Sequence, residues 1–447
     1  MKKYDNYKDS GVEWIGKIPE HWDRIRIKSL VAIKVTDGPH ETPQWIENGV
    51  PFISAEAIKG NKIDLDFKRG YISTEQHLEY CKKSKVLKND ILFCKSGSTT
   101  GKSALVDTDV DFGIWSPLAI IRADKNKIDY KYLFQSIQSS LFQNQVETAW
   151  TFGTQPNIGM GALENLWIAI PTLEEQQSIA NYLDHKTTQI DTLIAKKEQF
   201  ISLLQEERTA VINQAVTKGL DPKVKMKDSG IEWLGEIPEH WEVKKLKYVG
   251  DCQNGISEGA EYFGSGSPFV SYSDVYKNEI LPNKVLGLAQ STEKHQEHYS
   301  VEENDIFFTR TSETVEEIGI SSICNQTIEK AVFAGFLIRF RPNRELITKE
   351  FSKYYFRCFI PRTFFVKEMN LVTRASLSQE LLKRLPTLLP SINEQKRIAT
   401  YLDKKTSEID IVISKSKQEI ELLKEYKTAL ISEVVTGKVD VRDVILN

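Results

Sequence analysis

Ser96-Gly97-Ser98-Thr99-Thr100-Gly101-Lys102-Ser103 is one residue away from a phosphate-binding loop. Such a loop cradles phosphates with backbone amides and a lysine, but it needs a glycine where Ser96 stands, and no nucleotide-binding context follows. His295-x-x-His298 offers two imidazoles as metal ligands, yet no cysteine or third histidine lies nearby, so a surface helix explains the pair as well. Asp66-Phe67-Lys68 fits the D-x-K tail of a nuclease site, a tripeptide that recurs by chance in a chain with 62 acidic residues. No two prolines are adjacent, so the Asn/Asp-Pro-Pro-aromatic motif of amino-methyl transfer is missing, and no G-x-G-x-x-G opens a helix after a strand. Five cysteines (81, 94, 252, 324 and 358) are scattered and never form C-x-x-C, so they read as reduced thiols. The sequence contains no self-sufficient active site.

What remains is polar chemistry suited to recognition. Thr36-Asp37-Gly38-Pro39-His40-Glu41-Thr42-Pro43 and Ser96 to Lys102 are turn-rich loops full of donors, with counterparts at Phe263-Gly264-Ser265-Gly266 and Thr309-Arg310-Thr311-Ser312-Glu313-Thr314. Clusters of this composition also serve as plain hairpin connections. Basic charge is local: Lys82 to Lys102 holds six lysines against Asp90, and Arg339 to Arg374 holds nine Lys/Arg against three Glu, interleaved with aromatics. Basic side chains neutralise phosphates, whereas Arg, Ser, Thr, Asn and Gln on loops read base edges. Charge alone leaves a solvated helix face with core aromatics equally open. The formal net charge of −3 argues against a chain that coats nucleic acid by bulk charge.

These loops are carried by a duplication. Lys8 to Trp22 returns at Lys227 to Trp241 with 12 of 15 residues identical, at an offset of 219. At the same offset, Pro171-Thr172-Leu173-Glu174-Glu175-Gln176 through Asp184 returns as Pro390-Ser391-Ile392-Asn393-Glu394-Gln395 through Asp403. Each copy reads as the start of a long helix, with Thr172/Glu175 and Ser391/Glu394 at capping-box spacing. Apolar residues recur at Ile190, Ile194, Ile201, Leu204, Val211 and Ala215, and at Ile409, Ile413, Ile420, Leu423, Leu430 and Val434. Steps of 3, 4 and 7 make a coiled-coil seam, which predicts Ile194, Leu204, Ile413 and Leu423 as core. Gly219 and Gly437 mark the stops. About 40 residues per helix gives rods on the order of 60 Å that can pair with one another. Glu175-Gln176 and Glu394-Gln395 read as caps rather than catalysts.

Between the repeated parts lie two inserts, residues 24–168 and 243–387, of similar skeleton and different sequence. Pro51-Phe52-Ile53-Ser54 lines up with Pro268-Phe269-Val270-Ser271, and Asn89 to Phe93 with Asn304 to Phe308. Both carry short β-type runs and a helix-like stretch, at Tyr130–Gln145 and Lys349–Phe359, predicting compact α+β domains. The hydrophobic fraction of 40% and charged fraction of 27% are those of a soluble globular protein, and no apolar run reaches the roughly 18 residues of a membrane span. The start of the chain leads into no apolar signal segment, so a cytoplasmic location is expected.

The paired motifs resemble those of the specificity subunits of type I restriction-modification systems, over essentially the whole length. The residues that carry the resemblance are Pro-x-x-x-Glu-Gln-x-x-Ile-Ala-x-Tyr-Leu-Asp at each helix start, Val216-Thr217-Lys218-Gly219 with Val435-Thr436-Gly437 at the ends, and Ser-Gly-x-Glu-Trp-x-Gly-x-Ile-Pro-x-His-Trp before each insert. Thr36 to His40 and Phe308 to Gly319 look like segments of that family's target recognition domains.

The resemblance implies an α+β fold of two target recognition domains joined by two long antiparallel coiled-coil helices with pseudo-twofold internal duplication. The expected division is an opening motif with the first recognition domain (1–168), the first helix (169–220), a linker with the repeated motif and second recognition domain (221–387), and the second helix with a tail (388–447). Each recognition domain would bind one half of an asymmetric bipartite site on double-stranded DNA. The helices would set the gap and dock two methyltransferase subunits for adenine-N6 methylation, and two restriction subunits would complete the endonuclease. The chain itself would be non-catalytic and bind no metal or cofactor; S-adenosylmethionine, ATP and Mg²⁺ would belong to the partners. Expected DNA contacts are His40, Lys95, Ser98, Thr99, Lys102, Gln155 and Asn157 in the first domain. In the second they are Tyr272, Ser273, Arg310, Thr311, Ser312, Arg374 and Ser376. The rival readings are an enzyme with an unrecognised motif and a coiled-coil protein adaptor without sequence-selective DNA binding.

Overall fold

Each repeat begins with a small antiparallel ladder, Tyr7–Asp9 against Lys17–Pro19 and Met226–Asp228 against Glu236–Pro238. Each ladder leads to a fully buried tryptophan, Trp22 or Trp241. The computed structural model describes residues 2–152, 155–312, 317–368 and 375–445. These form two compact units, one of residues 1–198 with 417–447 and one of residues 199–416. Each unit therefore gathers one insert, the opening motif before it and a stretch of both long helices, whereas the segments expected from sequence follow chain order.

In the first unit a four-stranded antiparallel sheet runs in the order Ser103–Leu105, Ile91–Cys94, Leu118–Ile121, Thr36–Asp37. A three-stranded sheet places Val50–Ile53 between Gly113–Ile114, which is parallel to it, and Gly70–Ile72. Both central strands of the larger sheet are buried on both faces, which is why they read as unbroken apolar runs. Alternate side chains go to opposite sides. Ile91, Phe93, Ala119 and Ile121 join the core against the opening motif and the long helices, while Leu92, Cys94, Leu118 and Ile120 join a second core beneath the smaller sheet. The second unit repeats the plan: Gly250–Asn254, Leu337–Pro342, Ile306–Thr309 and Ser321–Ile323 in one sheet, Gly287–Ala289, Phe263–Val270 and Val332–Phe333 in the other. Ile306 and Phe308 again face one core and Phe307 the other. The α+β reading of both inserts is what forms.

The helix-like stretch in each insert is two helices rather than one: Tyr130–Gln138 with Ser140–Thr148, and Lys349–Tyr355 with Phe359–Glu368. Ser139 makes the first break. Its hydroxyl accepts from the Phe142 amide at 3.2 Å as an N-cap and donates to the Ser136 carbonyl at 2.6 Å.

The long helices span Leu173–Lys218 (46 residues) and Ile392–Val435 (44 residues). In the first unit they run antiparallel, Lys427 pairing with Asp191 at 2.7 Å and Lys197 with Glu419. Ile190 and Ile194 share a core there with Leu423, Leu430 and Val434. In the second unit Arg208 pairs with Asp410 at 3.1 Å, and Val211, Ala215 and Val216 share a core with Ile398 and Leu402. Ile413 is buried as predicted, but Ile194, Leu204 and Leu423 are only half-buried, because a seam between two helices has no third layer over it.

The capping boxes are half-formed. Thr172 and Ser391 accept from the amides of Glu175 and Glu394, both at 3.3 Å. The two carboxylates turn elsewhere: Glu175 takes the Tyr4 hydroxyl at 2.6 Å, the Trp22 indole at 3.2 Å and the His21 ring at 3.0 Å, and Glu394 takes His240 at 2.8 Å. The following glutamines are buried clamps. Gln176 accepts from the Asp129 amide at 2.8 Å and donates to the Pro171 carbonyl at 3.0 Å. Gln395 accepts from the Thr348 amide at 2.8 Å and donates to the Leu346 and Pro390 carbonyls. Asp129 and Thr348 are the N-caps of the insert helices, so each clamp ties an insert to its long helix.

Gln176→Leu is expected to lower the urea midpoint of unfolding, by an amount corresponding to about 2 kcal/mol, since it leaves a buried amide and carbonyl unpaired. The exposed neighbour Glu174→Ala serves as control, and equal midpoints for the two variants would contradict the clamp.

Candidate nucleic-acid interface

The loop after Ile91–Cys94 turns back at once into the strand Ser103–Leu105. A strand rather than a helix follows the phosphate-loop-like sequence, so the amides do not converge as they do at a helix N-terminus. Gly97 and Gly101, both at φ +95°, allow the turn, and Thr100 donates to the Gly97 and Pro156 carbonyls at 2.8 and 3.1 Å. Ser96 bridges Asn157, and the Gly97 amide donates to Pro156 at 3.1 Å. This brings Ser98, Thr99, Gln155 and Asn157 to the wall of one open polar concavity of about 530 Å³, together with Ser54, Glu56 and Arg69.

His40 and Lys95 belong to an adjacent cluster around Asp37, whose side chain is buried. Its carboxylate receives Lys83 at 2.7 Å, Lys95 at 3.2 Å and the His40 ring at 3.0 Å. Burial pushes the Asp37 carboxyl up, and the Lys83 and Lys95 ammoniums outweigh it, holding it below its ordinary range. Lys102 is exposed and has no ion-pair partner among the described residues.

In the second unit the expected residues meet around the equivalent strand end. Tyr272 donates to the Thr311 carbonyl at 3.0 Å and stacks on Tyr276, ring centroids 5.8 Å apart. Ser273 is exposed on the same helix, Tyr272–Lys277, which Ser271 and Asp274 start with a full capping box. Thr311 lies opposite Ser376, and the Ser312 backbone opposite Ala375. Arg374 lies outside the described residues. Arg310 occupies the place of Lys95. Its amide takes the Phe336 carbonyl and its carbonyl the Leu377 amide, as those of Lys95 take Pro117 and Ile158.

Much of the long basic stretch of the second insert is spent internally. Arg339 is buried, with Gln253 and the Ser300 carbonyl as partners. Arg341 pairs with Asp305 and Glu302, both at 2.7 Å, Lys349 with Glu303, and Lys353 with Asp403 at 2.7 Å. Phe340, Phe351, Tyr355, Phe356 and Phe365 are core. Sequence reasoning left this segment open between a phosphate-facing surface and a face with core aromatics, because a charge count does not reveal which acids fold against it. It also missed Asp37 as an organiser, and Glu56 and Arg69, whose distance along the chain from residues 95–102 gave no signal. His295 bonds the Tyr262 hydroxyl at 2.9 Å, a structural contact. His77 contacts Cys81 at 3.3 Å and Asp111 at 3.1 Å through the same ring nitrogen, and burial pushes the Cys81 thiol up. Among the described residues no group of three His, Cys, Asp or Glu is placed to hold a metal ion.

Two units of one fold, each offering polar loops at the end of a buried sheet, define a duplicated recognition protein. Residues 19–202 and 238–422 match the family described as type I restriction modification DNA specificity domain, and the chain belongs to it as a specificity subunit with two such domains. The specificity subunit of type I restriction enzyme MjaVIII from Methanocaldococcus jannaschii is 26% identical over 96% of this chain and 95% of its own. That of EcoKI from Escherichia coli K12 is 24% identical over 87% and 82%. A solved chain from work on complex assembly and conformational transition of the type I R-M system superposes with a TM-score of 0.72 at 16% identity, over 94% of this chain and 99% of that one. The HsdS subunit of Thermoanaerobacter tengcongensis gives 0.55 at 17% identity, over 94% and 98%. The two curated relatives are named as specificity subunits and the family description names DNA specificity, so membership supports DNA recognition over the adaptor reading.

The Asp37 cluster carries a pH signature. A carboxyl held below its ordinary value contributes stability that is complete above the unfolded value of 3.8 and is lost as pH falls through the lower folded value. Acid unfolding followed by tryptophan fluorescence should show a component below pH 3.8 that Asp37→Asn removes. Superimposable acid limbs would argue against the cluster.

Proposed function

We propose that each insert grips one half of a bipartite site on double-stranded DNA and that the two halves differ in sequence. The observation that carries this reading is the equivalence of the two strand-end sites. They share backbone geometry at Lys95 and Arg310 and present different side chains around it. The first site displays Ser98, Thr99, Gln155 and Asn157, with Lys95 and His40 beside them. The second displays Tyr272, Ser273, Arg310, Thr311 and Ser376, with Ser312 and Arg374 completing the expected set. Hydroxyl, amide and guanidinium groups are the ones that read base edges, and the ammoniums position the backbone.

The chain chooses the site, and methyltransferase subunits modify an adenine on each strand after flipping it. Two such subunits dock on the long helices, two restriction subunits complete the endonuclease, and all work in the cytoplasm. No helix among the described residues is long and apolar enough to cross a membrane. Docking is supported by exposed apolar residues at matching places in the two helices, Leu193 with Val412 and Leu203 with Leu422. S-adenosylmethionine, ATP and Mg²⁺ are held by those partners, and this chain is non-catalytic.

Methylome sequencing of cells with and without this gene, beside its cognate methyltransferase gene, should show one bipartite N6-methyladenine motif with unlike halves. Exchanging residues 24–168 for another member's insert should change one half only. A palindromic motif, or no change on deletion, would refute the assignment. In pull-downs, Leu203→Glu with Leu422→Glu is expected to weaken capture of the methyltransferase subunit at least tenfold with the fold intact by circular dichroism, and undiminished capture would move docking elsewhere.

A further inference from the structure

Glu56 and Arg69, which line the first concavity, form a unit with Trp115 beside Arg69. Glu56 binds the Nε of Arg69, leaving both terminal guanidinium nitrogens for another partner. The guanidinium carbon lies 5.7 Å from the centroid of the Trp115 ring, and Trp115 is itself wedged edge-on against Trp45. A guanidinium held at one nitrogen and lying over an indole ring has its direction restricted before any ligand arrives. It lines the same concavity as Ser98, Gln155 and Asn157.

Register identifies the three counterparts in the second unit. Gly70 lies opposite Phe52 and Gly287 opposite Phe269, so the preceding residues, Arg69 and Leu286, correspond. Ser54 and Ser271 are the N-caps that follow those strands, so Glu56 corresponds to Ser273. The Trp115 amide donates to the Ile53 carbonyl at 2.9 Å and the Ala334 amide to the Val270 carbonyl at 3.0 Å, so Trp115 corresponds to Ala334. The guanidinium, its orienting carboxylate and its stacking platform are thus replaced together by leucine, serine and alanine. Leu286 is 91% exposed, the most exposed large apolar side chain among the described residues. A position that changes chemistry as a set while the backbone stays the same is what distinguishing two half-sites requires.

We infer that this equivalent position reads one base in each half-site: Arg69 a guanine, through paired hydrogen bonds from its terminal nitrogens to O6 and N7, and Leu286 a thymine, through its C5 methyl group. Glu56 and Trp115 are positioning residues for Arg69. The inference rests on the proposed DNA reading and specifies one determinant within it.

The test uses the full methyltransferase complex, with the whole chain and its cognate partner, methylating a pool of duplexes with both half-sites randomised. Wild type should require a guanine at one position of one half-site. Arg69→Leu should lower discrimination at that position by roughly ten- to a hundredfold and leave every other position of both halves unchanged. Arg69→Lys keeps the charge without the fork and should relax the same position. Leu286→Arg should alter one thymine position of the other half only. An unchanged preference in Arg69→Leu would overturn the inference while leaving the DNA reading in place. So would an even loss over all sequences that Arg69→Lys restores, since that marks a phosphate contact. Absence of any bipartite motif with wild type would refute the DNA reading itself, and this inference with it.

Discussion

The amide of a buried glutamine holds each recognition domain to its helix. Gln176 and Gln395 stand one residue after the glutamates that engage the opening motifs, so two neighbouring side chains on one helical turn seize two separate parts of the same unit. Both glutamines are buried, and each leaves an insert amide and a helix-start carbonyl without a partner if it is lost. An unmade hydrogen bond in such a place costs more than a made one contributes, so the arrangement specifies one orientation of insert on helix. A loop displayed from a domain held in this way keeps its aim, which recognition of base edges requires.

The two units solve the same anchoring problem unequally. Glu175 is satisfied by Tyr4, His21 and Trp22, with the Arg442 guanidinium 3.9 Å away. Glu394 engages His240, and the Trp241 indole nitrogen, fully buried, has no partner. At the same offset the counterpart of Tyr4 is Lys223, which carries no phenol to bond Glu394. Near-identical motifs therefore do not yield identical networks when the residues flanking them differ.

Electrostatics in the inserts follows a second economy. Many of the basic side chains that a charge count singles out are neutralised within the fold, as Arg341 is by Asp305 and Lys83 by Asp37. Such pairs orient strands and loops and leave little for phosphates. With a net charge of −3, the chain offers no positive field from bulk charge.

The amino-acid sequence by itself determined the duplication, the two long helices, the α+β class of the inserts and the family, because these rest on periodicity and on motifs repeated at one offset. It also singled out Tyr272, Arg310, Thr311 and Ser376, which the fold brings to one strand end. Only the tertiary structure decided how far seam residues such as Leu204 are covered, where Glu175 points, which basic residues are already paired, and that Glu56, Arg69 and Trp115 form one unit whose counterparts are Ser273, Leu286 and Ala334. Those facts depend on strand register between segments far apart in the chain. A shift of one residue would turn every side chain to the other face, and no local pattern of residues encodes which partner is met there.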